Sequence, residues 1–150
     1  MRVGVFIPGE VTELDWAKRL GFRSVGWIRF DTHPVAQKAE WQPMAERFAA
    51  EARTRDLRIS AIGALYRNPL DPRQSDFARA IFRRAIEVAA HLGVKTVSGF
   101  PGAVIESEFF ERGGNSVYKP FENYMPQLLA FWEPLARFTA SNFASIWSSR

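Results

Sequence analysis

The stretch from Phe77 to Gly102, FARAIFRRAIEVAAHLGVKTVSGFPG, decides how the rest of the chain is read. Phe77, Ile81, Ala85, Val88 and Leu92 recur at helical spacing, and Ala78, Phe82, Ile86 and Ala89 widen them into a broad apolar face. Arg79, Arg83 and Glu87 fall on the opposite side. Ser75 or Asp76 suits the N-cap, where a short oxygen-bearing side chain satisfies a free amide of the first turn. Gly93 offers the left-handed exit that stops a helix. Two residues later, Lys95–Phe100 is a β-rich run closed by Pro101-Gly102. A long helix feeding a short strand through a tight glycine turn is half of a parallel β/α unit.

The same joint occurs elsewhere. Leu20-Gly21-Phe22-Arg23-Ser24-Val25 matches Leu92-Gly93-Val94-Lys95-Thr96-Val97 almost position for position, and Asp56-Leu57-Arg58-Ile59-Ser60-Ala61 is a degraded copy between them. The equivalent positions 21, 56 and 93 lie 35 and 37 residues apart, a period that marks stacked supersecondary units. Parallel strands need such crossovers, and crossovers share one hand. A barrel or an open doubly wound sheet satisfies the pattern equally.

Outward from the joints, the chain alternates strictly. Arg2–Pro8 is an apolar strand of the kind covered on both faces. Thr12 with Asp15 has capping-box spacing for a short helix ending at Gly21. A second strand is expected over Ser24–Phe30, then a loop from Asp31 to Trp41. Pro43 opens a helix whose inner face is Met44, Ala45, Phe48, Ala49 and Ala52. A third strand covers Arg58–Leu65, and the two prolines of Tyr66–Pro72 forbid its continuation. After a long loop from Pro101 to about Glu122, Leu128, Phe131, Trp132, Leu135 and Phe138 outline a fourth helix that Pro134 should kink. Residues 141–150 break the repeat: they are serine-rich, and Phe143–Trp147 would make only a poor fifth strand.

Composition bounds the function classes. The chain has 150 residues, enough for one domain with a core, and 47% hydrophobic with 24% charged residues is ordinary for a globule. No apolar run reaches membrane-spanning length, and the first residues enter a strand rather than a signal peptide. Without cysteine there are no disulfides or thiolate metal sites, which fits a cytoplasmic protein. The net charge of +4 comes with sixteen arginines and four lysines. They are spread along helices beside acids, as in Glu51 with Arg55 and Arg83 with Glu87, which reads as a solvated surface rather than a nucleic-acid footprint.

With this order in place the sequence resembles the N-terminal half of a sugar phosphate isomerase/epimerase. That family belongs to the xylose-isomerase-like eight-stranded β/α barrels, which include a branch of abasic-site endonucleases. The resemblance rests on Val3-Gly4-Val5-Phe6, Leu20-Gly21-Phe22, Asn68-Pro69-Leu70-Asp71-Pro72, Ala89–Val94 and Trp132-Glu133-Pro134-Leu135-Ala136, and it covers about residues 2–138. It implies an α/β fold, a parallel (β/α)4 half of a TIM barrel over residues 1–140, stopping before strand five, with 141–150 an irregular divergent tail. It also implies isomerisation or epimerisation of a small sugar or sugar phosphate with a divalent metal (Mg, Mn or Zn) in the full-length family. The family's glutamate, aspartate and histidine ligands come from the later strands, so no metal is expected on this chain, and the chain alone is expected to be inactive. A non-catalytic half-barrel binding module and an abasic-site endonuclease-like protein are the alternatives.

In such barrels the working face lies at the C-terminal strand ends. The substrate-binding candidates there are Arg29, Asp31, His33, Tyr66 and Asn68. Arg29 or Arg67 suits a phosphate; Asp31, His33, Tyr66 and Asn68 suit sugar hydroxyls. Each has a plain structural reading beside it: His33 as an exposed turn residue before a proline, Asn68-Pro69 as a turn initiator, Asp71 as a cap. His91 belongs with the helix dipole. No P-loop, dinucleotide fingerprint, His-Glu-x-x-His stretch or nucleophile elbow occurs. The partners expected are therefore a small sugar and, through exposed strand edges, a second copy in a homodimer, with neither nucleic acid nor membrane.

Overall fold

Strands β1 (Gly4–Ile7), β2 (Ser24–Trp27), β3 (Arg58–Ala64) and β4 (Val97–Gly99) form one sheet in the order β1-β2-β3-β4, every pair parallel. Helices α1 (Val11–Arg19), α2 (Pro34–Gln37), α3 (Gln42–Thr54), α4 (Ser75–Leu92) and α5 (Met125–Trp147) separate and follow them, in a computed structural model that describes residues 3–64, 67–102 and 124–147. Sequential order with parallel pairing is the expected α/β arc.

The joints explain why. Gly21, Asp56 and Gly93 all hold positive φ, at 82°, 55° and 69°. In each joint the next amide reaches back five residues: Phe22 N–H to Ala17 O at 3.1 Å, Leu57 to Ala52 at 2.9 Å, and Val94 to Ala89 at 2.8 Å. This is one Schellman exit built three times, with a buried alanine inside the helix and an apolar residue just beyond it. Asp56 serves where glycine stands elsewhere because a short polar side chain tolerates the left-handed region.

One face of the sheet meets the helices. Trp27, Val25, Ile62 and Ala64 are buried with Phe48 of α3 and Ile81, Phe82 and Ala85 of α4 in a continuous core. A Cβ on Gly99 would overlap the Phe82 ring, so Gly99 lies against α4 and its neighbour Ser98 turns to the opposite, inner face. That inner face carries Gly26, which would otherwise collide with Phe6, a residue 48% exposed. Phe82 also joins α4 to α5 through Phe131 and Trp132, at ring distances of 6.1 and 4.7 Å.

Several boundaries depart from the sequence reading. α1 is capped from Glu10, not Thr12: the Glu13 carboxylate accepts the amides of Gly9 and Glu10 at 3.0 and 3.1 Å, a capping box of the expected three-residue spacing set two residues earlier. Neither Ser75 nor Asp76 caps α4; Gln74 holds the N-cap position, while the Asp71 backbone carbonyl accepts from Gln74 and Ser75. β2 stops at Trp27 because Arg29 turns left-handed, and the expected loop contains a 3-10 turn at Phe30–Thr32 and the single-turn α2. β4 is confined to Val97–Gly99. Arg83 does not pair with Glu87; its guanidinium lies 4.6 Å from the Phe138 ring centroid, and Arg84 takes Glu87 at 3.0 Å. His91 meets Glu46 at 2.9 Å, tying α4 to α3 rather than only ending its helix.

α5 runs without interruption through Pro134 to Trp147, so Phe143–Trp147 is helix and not a fifth strand. Pro134 deprives the Ala130 carbonyl of its partner, but both residues lie on the exposed side, where water replaces the bond. Ser141 and Asn142 return hydrogen bonds to the Phe138 carbonyl, each at 2.8 Å, which suits continued helix.

Candidate functional site

The segment after β2 is held from below by Trp27. Its indole is fully buried, donates from Nε1 to the Pro8 carbonyl at 3.1 Å, and lies 4.5 Å from the Phe48 ring. Gly9, at φ 112°, leaves the space that the indole occupies. Phe30 and His33 pack edge-on against the same indole at 5.6 and 4.6 Å. The segment 28–33 thus stands on a rigid aromatic floor at the C-terminal end of the sheet.

Asp31 is the unusual residue of this segment. It is 3% exposed, the only buried charged residue among those described. Its Oδ2 lies 3.6 Å from Nη2 of Arg67, which follows β3, while Oδ1 is buried with no hydrogen-bond partner. A buried carboxylate normally has its oxygens satisfied, because a lone one forfeits its hydration without return. Arg67 also lies 5.1 Å from the exposed Phe77 ring, so its guanidinium, expected as a phosphate ligand, is shared between Asp31 and Phe77.

His33 caps α2: its Nδ1 accepts the Val35 amide at 3.2 Å. The neutral ring then carries its proton on Nε2. Burial holds the His33 pKa below its ordinary 6.5, with the Glu10 charge opposing that effect. His33 is therefore a half-buried neutral donor, not the exposed turn residue of its plain reading. Arg29, at φ 53°, is exposed at the lip and makes no ion pair with a described residue. Asn68 builds an Asx turn, its Oδ1 accepting the Leu70 amide at 3.1 Å. Tyr66 lies outside the described residues. Asp71 is engaged by the side chain and amide of Arg73 and by Gln74, which hold its carboxyl near a pKa of about 2; it does not join Asp31.

The structure thus unites Asp31 with Arg67 across adjacent strands and places His33 and Arg29 on the same segment. Sequence reasoning missed two members. Phe77 was assigned to the core and is 42% exposed beside Arg67. Ser98 faces inward from β4 with a buried, unpartnered hydroxyl; its signal was the alternation fixed by Gly99.

Among the described residues no three His, Asp or Glu side chains stand close enough to hold an ion. His33 presents an N–H rather than a lone pair, and Asp31 is a lone carboxylate. The described groups do not form a metal site, and what they offer is hydrogen-bond recognition.

A family model described as xylose isomerase-like TIM barrel matches residues 14–143. This chain belongs to that family. Among curated proteins none matches the sequence. Solved structures share the fold: a xylose isomerase domain protein from Planctomyces limnophilus superposes with a TM-score of 0.64 at 16% identity, over 94% of this chain and 51% of that one. A D-psicose 3-epimerase from Clostridium cellulolyticum H10, solved with D-tagatose, gives 0.63 at 12% identity over 95% and 50%. A xylose isomerase-like TIM barrel protein from Mycobacterium smegmatis in complex with magnesium gives 0.62 at 17% identity over 89% and 44%. The chain spans about half the length of these structures.

Proposed function

We propose that this chain supplies the sugar-recognising β1–β4 half of an isomerase or epimerase barrel acting on a small ketose. The observation that carries the reading is Asp31: a carboxylate oxygen buried without a partner at the end of β2, on the face where such barrels bind substrate. An unmet acceptor of this kind suits a sugar hydroxyl. His33 Nε2–H would donate to a second oxygen, and the exposed Phe77 ring offers an apolar surface for the sugar's C–H face. Arg29, at the lip, would meet a phosphate if the sugar carries one.

Access requires movement. Oδ1 is enclosed, and Arg67 is the neighbour with least to hold it, being 42% exposed and 3.6 Å from Oδ2. An ion pair that long and that exposed contributes at most about 1 kcal/mol, which a ligand hydroxyl can replace.

In this reading a divalent ion (Mg, Mn or Zn), held by residues outside those described, would polarise the carbonyl for proton or hydride movement at the adjacent carbon. The residues of this half bind and orient. The epimerase solved with D-tagatose makes that ketohexose the first probe. Calorimetric titration of D-tagatose, with and without magnesium, should show saturable binding that Asp31→Asn abolishes. Binding unchanged in Asp31→Asn would refute the site. Binding with no turnover in either condition would favour the non-catalytic half-barrel module.

A further inference from the structure

We infer that two copies of this chain close on one another as a single eight-stranded barrel, β4 of each pairing with β1 of its partner. Among the described residues the sheet has two free edges, on β1 and on β4, and every pairing inside it is parallel. Such an edge offers its unpaired amides and carbonyls to another strand. The arc superposes on about half of a TIM barrel, and a TIM barrel has eight parallel strands. A two-fold axis along the barrel therefore brings a second set of four strands in the right number and direction, and it uses both edges of both copies.

The apolar surface left outside the core gathers at those two edges. Eight large hydrophobic side chains are exposed among the described residues, and six belong to the terminal units: Val3, Trp16 and Leu20 around β1 and α1, and Phe100, Met125 and Leu129 around β4 and α5. Helix periodicity places them more closely. On α1, Leu14 and Ala17 face the sheet, while Asp15 and Lys18 sit to one side and reach Arg55 and Asp56, which follow α3. Trp16 and Leu20 sit to the other side, away from α3. On α5, Phe131 and Phe138 turn to Arg79 and Arg83 of α4. Met125 and Leu129 turn the opposite way, beyond β4. Each end of the arc thus presents an apolar helix flank, where a solvent-facing end would be polar.

The β4 edge opens into a groove of about 580 Å³ between the strand and α5, lined by Phe82, Ile86, Val97, Trp132 and Leu135. Side chains alternate along a strand, so Val3 shares the helix-facing side of β1 with Val5 and Ile7, which pack in the core. Val3 itself is exposed, and the partner's groove offers it an apolar seat. A dimer built β4 to β4 would leave Trp16 and Leu20 in water; the closed arrangement sets α5 of one copy against α1 of the other, twice over. It also encloses Phe6 on the inner face and gathers two Asp31 segments around one barrel mouth. The assembly rests on the fold and not on sugar recognition, so its failure leaves the Asp31 reading standing.

The test is sedimentation equilibrium of the 150-residue chain at micromolar concentration. The parent should be a dimer of twice the chain mass, without larger species. Leu129→Lys and Trp16→Glu, at exposed positions of opposite edges, should each weaken dimerisation at least about tenfold, because each puts an unpaired charge into both seams. Mixed in equal amounts, the two variants should recover dimers: the heterodimer keeps one parental seam and joins the opposite charges in the other. A monomeric parent, an open series of larger oligomers, a Trp16→Glu variant that dimerises like the parent, or a mixture that stays monomeric would overturn the inference.

Discussion

Replacing Asp31 with Asn should make the protein more stable while removing sugar binding. The carboxylate is 3% exposed and its Oδ1 has no partner, so its ionised form carries a desolvation penalty of about 1–3 kcal/mol. What the substitution removes is one attraction, to Arg67 at 3.6 Å with the guanidinium 42% exposed, worth at most about 1 kcal/mol. The Asp31 backbone carbonyl keeps its bond from Gln37 Nε2, since that contact does not involve the side chain. A neutral amide of the same shape retains part of the penalty, so the net gain is about 1 kcal/mol. For a chain of 150 residues this raises the unfolding midpoint by about 2–4 °C. Differential scanning calorimetry of parent and variant in the same buffer, each with and without D-tagatose, reads both quantities. A midpoint lowered by more than 3 °C would show that Asp31 holds the fold together, and the argument from its unmet oxygen would fail.

Four further outcomes follow from the geometry. Gly9→Ala forces a side chain into positive φ and into the Trp27 indole; it should cost about 2–4 kcal/mol and disturb the tryptophan near-UV signal, whereas an unchanged midpoint would contradict the packing. Phe131→Ala opens the contact between α4 and α5 and should cost about 3–5 kcal/mol in urea unfolding. The lowered pKa of His33 means that the unfolded chain takes up a proton first; stability should therefore be full above pH 6.5 and fall as pH drops below it, and His33→Gln should flatten that slope in pH-dependent unfolding. Finally, among the described residues β4 pairs on one edge only, beside an apolar groove of about 580 Å³ lined by Phe82, Ile86, Trp132 and Leu135. At micromolar concentration the chain should self-associate through that edge in light scattering, and a monodisperse monomer would exclude it.

Apolar periodicity located all the long helices because burial against the sheet imposes it, and the repeated joints located the strands because one backbone solution recurs. Shorter features escaped for physical reasons. α2 has a single turn and so no period to read, and the end of β2 depends on a left-handed Arg29 that no propensity foretells. The continuation of α5 ran against a serine-rich composition that favours turns in isolation, yet Ser141 and Asn142 bond back into the helix. At the site, residue types at the strand ends were legible, but Asp31 is a charged residue and charge ordinarily predicts exposure. Its meeting with Arg67 follows from position: residues 31 and 67 lie four and three beyond the last residues of adjacent parallel strands.

The most direct test of sugar recognition at the C-terminal strand ends is a residue-resolved map of where a ketose touches the chain. In a ¹⁵N-correlated NMR titration with D-tagatose, the account predicts saturable shifts gathered at residues 28–33 and 67–70 and near Ser98, with Arg23, Arg58 and Lys95 undisturbed. Shifts centred instead at the beginnings of the strands, or spread along the helices, would contradict it.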